Sequence, residues 1–126
     1  MCIRDRVPDV RTVLMPVGGG GLAAGITAAL SDHPQVQVVG VQAAGAAAWP
    51  GSLAAGHPIS LTAMSTMADG IAVGRPGDVP FAILRAGGVP IHTVTEEHLS
   101  RALLHLAERS KAVSYTHLTL PTKRIV

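Results

Sequence analysis

The chain has 126 residues, of which 48% are apolar and 14% charged, and these proportions exclude a disordered tail and favour one small globular domain or part of one. Aromatic residues make up only 2%, so the interior must be built from closely packed Ala, Val, Leu and Ile, as where helices cover a parallel sheet. The formal charge of +2 would suggest a nucleic-acid partner only if the basic residues clustered in the folded part, and four of the ten lie in the two ends of the chain.

Both ends resemble translated sequencing adapter. Codons for residues 1–6 can read ATG TGT ATA AGA GAC AG, the transposase mosaic-end adapter, and its reverse complement encodes residues 113–122. A sample index and the constant sequence after it would encode residues 123–126. We therefore expect residues 7–112 to be the natural segment. That segment holds six basic and seven acidic residues, so its formal charge is −1 and we expect no nucleic-acid partner.

The natural segment carries no signal for disulfides or for a membrane. The single cysteine, Cys2, lies in the front adapter segment. No run of about 18 apolar residues is free of Gly, Pro and charge, and residues 1–6 are no signal peptide. We expect a cytoplasmic protein that does not cross a membrane.

The first half of the natural segment predicts a strand, a glycine loop, a helix and a second strand. Residues 12–17 (TVLMPV) form an apolar run, and residues 22–30 (LAAGITAAL) are strong helix formers. Residues 31–34 end that helix, and residues 36–41 (VQVVGV) are typical of a buried strand. The order strand, helix, strand predicts parallel pairing.

The middle of the chain is less regular. Residues 43–56 are rich in Ala and Gly, with Trp49-Pro50-Gly51 interpreted as a break and a helical turn expected over residues 52–55. Residues 57–77 predict a long ordered loop, of the kind that often lines a site, with Gly70 near its middle.

The last part of the natural segment predicts two helices and a third strand. Asp78 is expected to cap a helix over residues 78–85, and residues 91–94 are the third strand. Thr95 is expected to cap the final helix. The apolar positions with helical spacing in that helix are Leu99, Ala102, Leu103, Leu106 and Ala107.

The four glycines Gly18, Gly19, Gly20 and Gly21 join the first strand to the first helix. Backbone N–H groups without neighbouring Cβ atoms at a helix N-terminus favour binding of an anion such as a phosphate, although a tight turn or close packing would also require glycine. No Lys-Ser/Thr pair follows, which argues against a P-loop. A dinucleotide site fits only as Gly18-x-Gly20-x-x-Ala23 and lacks an acidic residue after the second strand, so it remains an alternative.

The segment MPVGGGGLAAGITAAL resembles the phosphate loop of fold-type II pyridoxal-phosphate enzymes, and residues 38–84 are similar to the threonine dehydratases of that family. The resemblance extends over residues 7–112. It implies an α/β fold, a piece of the three-layer parallel-sheet architecture of the tryptophan synthase beta-like type, and pyridoxal 5′-phosphate as the cofactor. Residues 7–112 would be a fragment of the cofactor-binding catalytic domain.

The resemblance also implies roles for particular residues. Gly18, Gly19, Gly20, Gly21 and Leu22 would bind the cofactor phosphate, and Gly70 of Ala68-Asp69-Gly70 would lie against the pyridine ring, with Asp69 structural. From the residues alone, Gly70 can equally be an ordinary turn glycine.

The implied activity is deamination of L-threonine, or of serine, to a 2-oxo acid and ammonia. The parent protein would act in isoleucine biosynthesis or in threonine breakdown. The resemblance also implies a homo-oligomer, since enzymes of this family are usually oligomeric. The family's Schiff-base lysine lies upstream in a Ser-x-Lys-x-Arg-Gly motif that this chain lacks, and Lys111 does not match it. We therefore expect no catalytic residue in the chain and no activity from it alone. The alternatives are serine racemase or another fold-type II enzyme, an oxidoreductase fragment, and a non-enzymatic ligand-binding module.

No metal site is expected. Relatives such as serine racemase bind a divalent cation through carboxylates in the stretch matching residues 42–48, where this chain has Gln42 and Ala48. His98 and His105 are two helical turns apart and are expected to be surface residues.

Overall fold

Three short strands form one parallel sheet in the computed structural model, which describes residues 7–110. The strands are β1 (Thr12–Pro16), β2 (Gln37–Ala43) and β3 (Ile91–Val94), in the order β1-β2-β3. Val13 of β1 lies opposite Val38 of β2, and Val41 of β2 lies opposite His92 of β3. Both pairings are parallel, which confirms the α/β class and the predicted strand-helix-strand unit.

The described part of the chain also has four α-helices, two of which lie between β2 and β3. They are α1 (Gly21–Ala29), α2 (Ala48–Ala55), α3 (Asp78–Ala86) and α4 (Glu96–His105). Short 3-10 turns occupy Ala44–Ala46 and Asp69–Ile71, and a π-helical turn, Leu106–Ser110, continues α4. The predicted helices over residues 22–30 and 78–85 are confirmed to within one residue at each end, and residues 57–77 form the predicted loop around the turn Asp69–Ile71.

The helix α2 corrects the sequence interpretation, which expected a break at Trp49-Pro50-Gly51 and a turn only over residues 52–55. Pro50 is the third residue of the helix, where its missing N–H would have no partner within the helix anyway. The backbone N–H of Trp49 donates instead to the side-chain Oε1 of Gln42, 3.1 Å away. Gly56 ends the helix in the left-handed region at φ 77°.

Asp78 is also placed differently from the prediction. The capping residue of α3 is Gly77, at φ −67° and ψ 146°, and no side chain bonds to the helix start. Asp78 is the first helical residue and pairs with Arg75, with 2.6 Å between Arg75 Nη2 and Asp78 Oδ1. The carboxylate therefore acts near the positive end of the helix through charge and not as a cap.

The core lies between one face of the sheet and helices α1, α2 and α3. Small side chains let α1 approach the sheet closely, since Ala23 and Ala24 are both buried. The buried cluster consists of Met15, Val17, Ala23, Ala24, Val38, Trp49, Phe81, Leu84 and Val89. Leu14 points to the other face of the sheet and is 68% exposed.

The chain divides into two compact units, residues 1–96 and 97–126. The described part of the second unit is helical, with an ion pair of 2.7 Å between Arg101 Nη2 and Glu97 Oε1. Its apolar side chains Leu103, Leu104 and Leu106 are exposed. Lys111 and the two predicted adapter segments lie outside the described residues.

Candidate functional site

The glycine loop, residues 18–21, leads from the carboxyl end of β1 into α1. Gly20 precedes the helix with φ 93° and ψ −1°, a left-handed conformation that favours glycine. It is also buried, and a Cβ atom there would overlap the indole ring of Trp49 and lie 3.0 Å from Pro80 Cβ. The fold itself therefore requires glycine at position 20.

Three carbonyl groups of the loop accept hydrogen bonds from within the protein. Gly18 O accepts a hydrogen bond of 2.7 Å from Trp49 Nε1, and Gly19 O accepts one of 3.0 Å from the N–H of Gly77. Gly20 O accepts one of 2.9 Å from the N–H of Ala24, which starts the helix. Each of these three carbonyl groups therefore already has a donor within the protein.

The N–H groups of the same loop differ from its carbonyl groups, because they have no hydrogen-bond partner among residues 7–110. Within residues 7–110, the backbone N–H groups of Gly18, Gly19, Gly20, Gly21 and Leu22 donate no hydrogen bond. They lie at the N-terminus of α1, where the helix dipole favours negative charge. A loop that offers donors and withholds acceptors suits an anion.

The turn that carries Gly70 adjoins this loop. A Cβ atom on Gly18 would lie 3.1 Å from Ile71 Cα and 3.2 Å from Ile71 O, so the backbone directly after Gly70 is packed against the loop. Gly70 itself is exposed, and a Cβ atom there would meet nothing within 4 Å. The structure thus brings together the two elements that the sequence analysis singled out, more than 40 residues apart along the chain.

Trp49 and Gln42 support the loop and were missed as site residues by the sequence analysis. Both are 0% exposed. Trp49 reaches Gly18 O, and Gln42 Oε1 holds the start of α2. The signal for Trp49 was present, because it is the single tryptophan of a chain poor in aromatic residues.

The loop of residues 57–77 is held in place by several backbone contacts. Ser65 N–H donates to Gly45 O over 2.9 Å, and Met67 N–H donates to Glu96 Oε2 over 2.8 Å. Gly45 is required here, since a Cβ atom would overlap Ser65 O. Glu96 Oε1 is buried and has no hydrogen-bond partner in the described part of the protein.

The perturbed titratable groups lie on the surface. The hydrogen bond to Asp78 raises the pKa of Arg75, and the hydrogen bond from Arg75, with its charge, lowers the pKa of Asp78. Both side chains are well exposed, so this pair stabilises the start of α3 and does not provide a general acid or base.

A surface cavity of about 560 Å³ lies at the other end of α1 from the glycine loop. Its lining includes Thr27, Leu30 and Ser31 from the end of that helix and Gly88 and Val89 from the segment before β3. None of the predicted site residues lines this cavity, so we do not assign the cofactor site to it.

Residues 7–110 contain neither a metal-binding cluster nor a membrane-spanning helix. No group of three or more His, Cys, Asp or Glu side chains there could hold a metal ion, and the predicted lack of a metal site stays a prediction. None of the helices in that range is both long enough and apolar enough to cross a bilayer.

Comparison with known proteins identifies the family. A sequence model of the family "Pyridoxal-phosphate dependent enzyme" matches residues 3–117. The L-threonine ammonia-lyase of Thermotoga maritima is 39% identical over 113 residues, which cover 89% of this chain and 28% of that protein. This chain therefore spans about a quarter of the length of that curated relative.

Two solved structures share the fold of the chain. The T.th. threonine deaminase has a TM-score of 0.81 at 39% identity, over 87% of this chain and 41% of that one. Maize serine racemase also has a TM-score of 0.81, at 28% identity, over 87% of this chain and 35% of that one. With a family match over about nine-tenths of its length and a glycine loop built to receive an anion, the chain belongs to the pyridoxal-phosphate dependent enzyme family.

Proposed function

We propose that this chain is the phosphate-binding part of a threonine dehydratase, in which residues 18–22 bind the phosphate of pyridoxal 5′-phosphate and Gly70 faces its pyridine ring. The observation that carries the proposal is the set of N–H groups at residues 18–22 that have no acceptor within residues 7–110. The names of the relatives, an L-threonine ammonia-lyase and a threonine deaminase, support the substrate.

The residues present fit the cofactor. A phosphate dianion requires several donors and no acceptors, as the loop provides. Glycine at positions 21 and 70 is not required by packing, since a Cβ atom at either would meet nothing within 4 Å and neither has a positive φ. A ligand that closely approaches the backbone at both positions explains these two glycines.

The parent would convert L-threonine to 2-oxobutanoate and ammonia. When bound, the cofactor supplies an electron sink for the α-carbon of the amino acid. The residues of this chain bind the phosphate, support the ring and hold the loop of residues 57–77 beside it. The proton-transferring lysine would come from another part of the parent, so the chain alone is inactive.

The test compares Gly21→Ala with Gly25→Ala in the full-length parent. Both glycines lie in α1 with open space at the Cβ position, but only Gly21 adjoins the proposed phosphate. We expect Gly21→Ala to weaken cofactor binding by about tenfold or more, equivalent to about 1.4 kcal/mol, and Gly25→Ala to leave it unchanged. Equal affinities for the two variants, measured by cofactor absorbance and calorimetry, would refute the phosphate assignment.

A product assay decides between the dehydratase and the racemase. The dehydratase forms 2-oxobutanoate from L-threonine, whereas a racemase would form D-serine from L-serine. Formation of D-serine as the main product would replace the proposed activity and leave the cofactor site intact.

We further propose a cytoplasmic, homo-oligomeric parent that binds an amino acid and no nucleic acid. The formal charge of −1 for residues 7–112 supports the last point. Light scattering of the full-length protein would give its oligomeric state, and a monomer would refute the proposal.

We also propose that residues 1–6 and 113–126 are translated adapter. The coding DNA decides this directly, because the adapter fixes TGT for Cys2 and ATA for Ile3 among the synonymous codons of these residues. Any other codon at either position would refute the proposal.

A further inference from the structure

We infer that Trp49 is a positioning residue, whose indole N–H fixes the direction in which the glycine loop presents its N–H groups to the phosphate. The inference rests on the proposed function, and it assigns a role to a residue that contacts the far side of the loop from the ligand.

The geometry of the peptide group links the direction of each carbonyl to that of the N–H that follows it. In a trans peptide, the C=O of one residue and the N–H of the next lie in one plane and point in opposite directions. No cis peptide occurs in the described part of the chain. Fixing the carbonyl of one residue therefore fixes the opposite direction for the following N–H.

Three successive peptide groups of the loop are fixed in this way. The bond from Trp49 Nε1 to Gly18 O directs the N–H of Gly19 away from the core. The bonds to Gly19 O and Gly20 O likewise fix the directions of the N–H groups of Gly20 and Gly21. Without such anchors, glycine peptides could rotate and present a carbonyl to the phosphate, which would repel it.

Trp49 provides the side-chain anchor among the three, since the other two donors are backbone N–H groups of Gly77 and Ala24. Several contacts hold the Trp49 side chain in one position. The side chain is 0% exposed, its backbone N–H is bound by Gln42, and its ring stacks on Phe81 with centroids 5.9 Å apart. A buried and doubly held indole can impose one orientation on a flexible glycine loop.

Loss of the indole N–H should weaken binding of the phosphate group specifically. Phenylalanine at position 49 would keep an aromatic ring in the core but could not donate to Gly18 O. The Gly19 N–H would then lose its fixed direction, whereas residues that contact the pyridine ring would be unaffected. The affinity for pyridoxal, which has no phosphate, therefore serves as an internal reference.

The experiment measures binding of pyridoxal 5′-phosphate, pyridoxal and inorganic phosphate to the full-length parent and its Trp49→Phe variant. We expect the affinity for pyridoxal 5′-phosphate and for inorganic phosphate to fall about tenfold, and that for pyridoxal to change by less than about twofold. Leu84→Val is the matched control, because Leu84 is buried in the same core cluster and forms none of the three carbonyl bonds.

Gln42→Leu is a second variant that leaves the indole in place. It removes the acceptor for Trp49 N–H, so it should lower the ratio of pyridoxal 5′-phosphate to pyridoxal affinity in the same direction by a smaller factor. If Trp49→Phe fails to fold, as judged by circular dichroism, the affinity ratio of Gln42→Leu tests whether Trp49 positions the loop.

The outcomes separate this inference from the proposed function. If the wild type binds pyridoxal 5′-phosphate and the variants lose both ligands equally or neither, the inference is wrong and the proposed function stands. If the wild type binds inorganic phosphate but not pyridoxal 5′-phosphate, and Trp49→Phe weakens that binding, the proposed function is wrong and the inference stands. A wild type that binds neither overturns both.

Discussion

Gly20 and Gly21 are neighbours in the loop, yet glycine is present at each for a different reason. Gly20 has a positive φ, is buried and lies against the ring of Trp49. Gly21 is exposed, begins α1 and has open space where a side chain would project. In the sequence the four glycines of the loop are indistinguishable. The structure shows that the fold requires glycine at position 20 but not at position 21.

We expect Gly20→Ala to lower the free energy of unfolding of the full-length protein by at least about 1–2 kcal/mol, the cost of a left-handed residue with a Cβ atom. Overlap with Trp49 adds to this cost. Gly21→Ala should instead raise the free energy of unfolding by up to about 1 kcal/mol, since alanine is the better helix former. Urea denaturation of both variants checks this, and similar unfolding midpoints would contradict it.

At the scale of elements, the starts of α2 and α3 are stabilised by different partners. The helix α2 begins with its second N–H bound by Gln42, and α3 begins at Asp78, which pairs with Arg75. Neither arrangement is a local capping motif, which explains why the sequence analysis misplaced both. The helix α1 begins at the glycine loop, where the N–H groups of residues 18–22 donate no hydrogen bond within residues 7–110.

The pair of Arg75 and Asp78 predicts a pH-dependent contribution to stability. The pKa of Asp78 lies below its ordinary value of 3.8 in the folded protein, so the pair stabilises the fold above that pH and the contribution is lost as the pH falls through the lowered value. Asp78→Asn should therefore be slightly less stable than wild type at neutral pH, and the difference should vanish in stronger acid.

Thermal unfolding of both proteins between neutral and strongly acidic pH measures this difference. Asp32→Asn is the control, because Asp32 is exposed and forms no ion pair with any of residues 7–110. A difference between wild type and Asp78→Asn that grew on acidification would contradict the assigned direction of the pKa shift.

At the scale of the whole molecule, the sheet is covered on one face. Helices pack against the face that carries Met15 and Val38, whereas Leu14 on the other face is 68% exposed. Parallel sheets are ordinarily covered on both faces. Because the chain spans 28% of the length of the Thermotoga maritima relative, we expect the remainder of the parent to cover this face.

Leu14→Thr tests that expectation. In the full-length parent it should lower the free energy of unfolding by about 1–3 kcal/mol, because it removes buried apolar surface and buries a hydroxyl. Val79→Thr is the matched control, since Val79 is 70% exposed on helix α3 and should change stability by less than about 0.5 kcal/mol. Equal effects of the two substitutions on chemical denaturation would show that the outer face stays exposed.

The sequence by itself determined the α/β class, the parallel pairing and the glycine loop, because each depends on local patterns: apolar runs, helix formers and a run of glycines between them. The family was indicated by the resemblance of residues 7–112 to known enzymes. The packing of Ile71, the residue after Gly70, against Gly18 was decided only by the tertiary structure, since these residues lie more than 40 positions apart along the chain. The same holds for Trp49, whose bond to Gly18 O joins residues 31 positions apart. Long-range contacts of this kind leave no periodic signal, so the support of the loop became visible only in the folded chain.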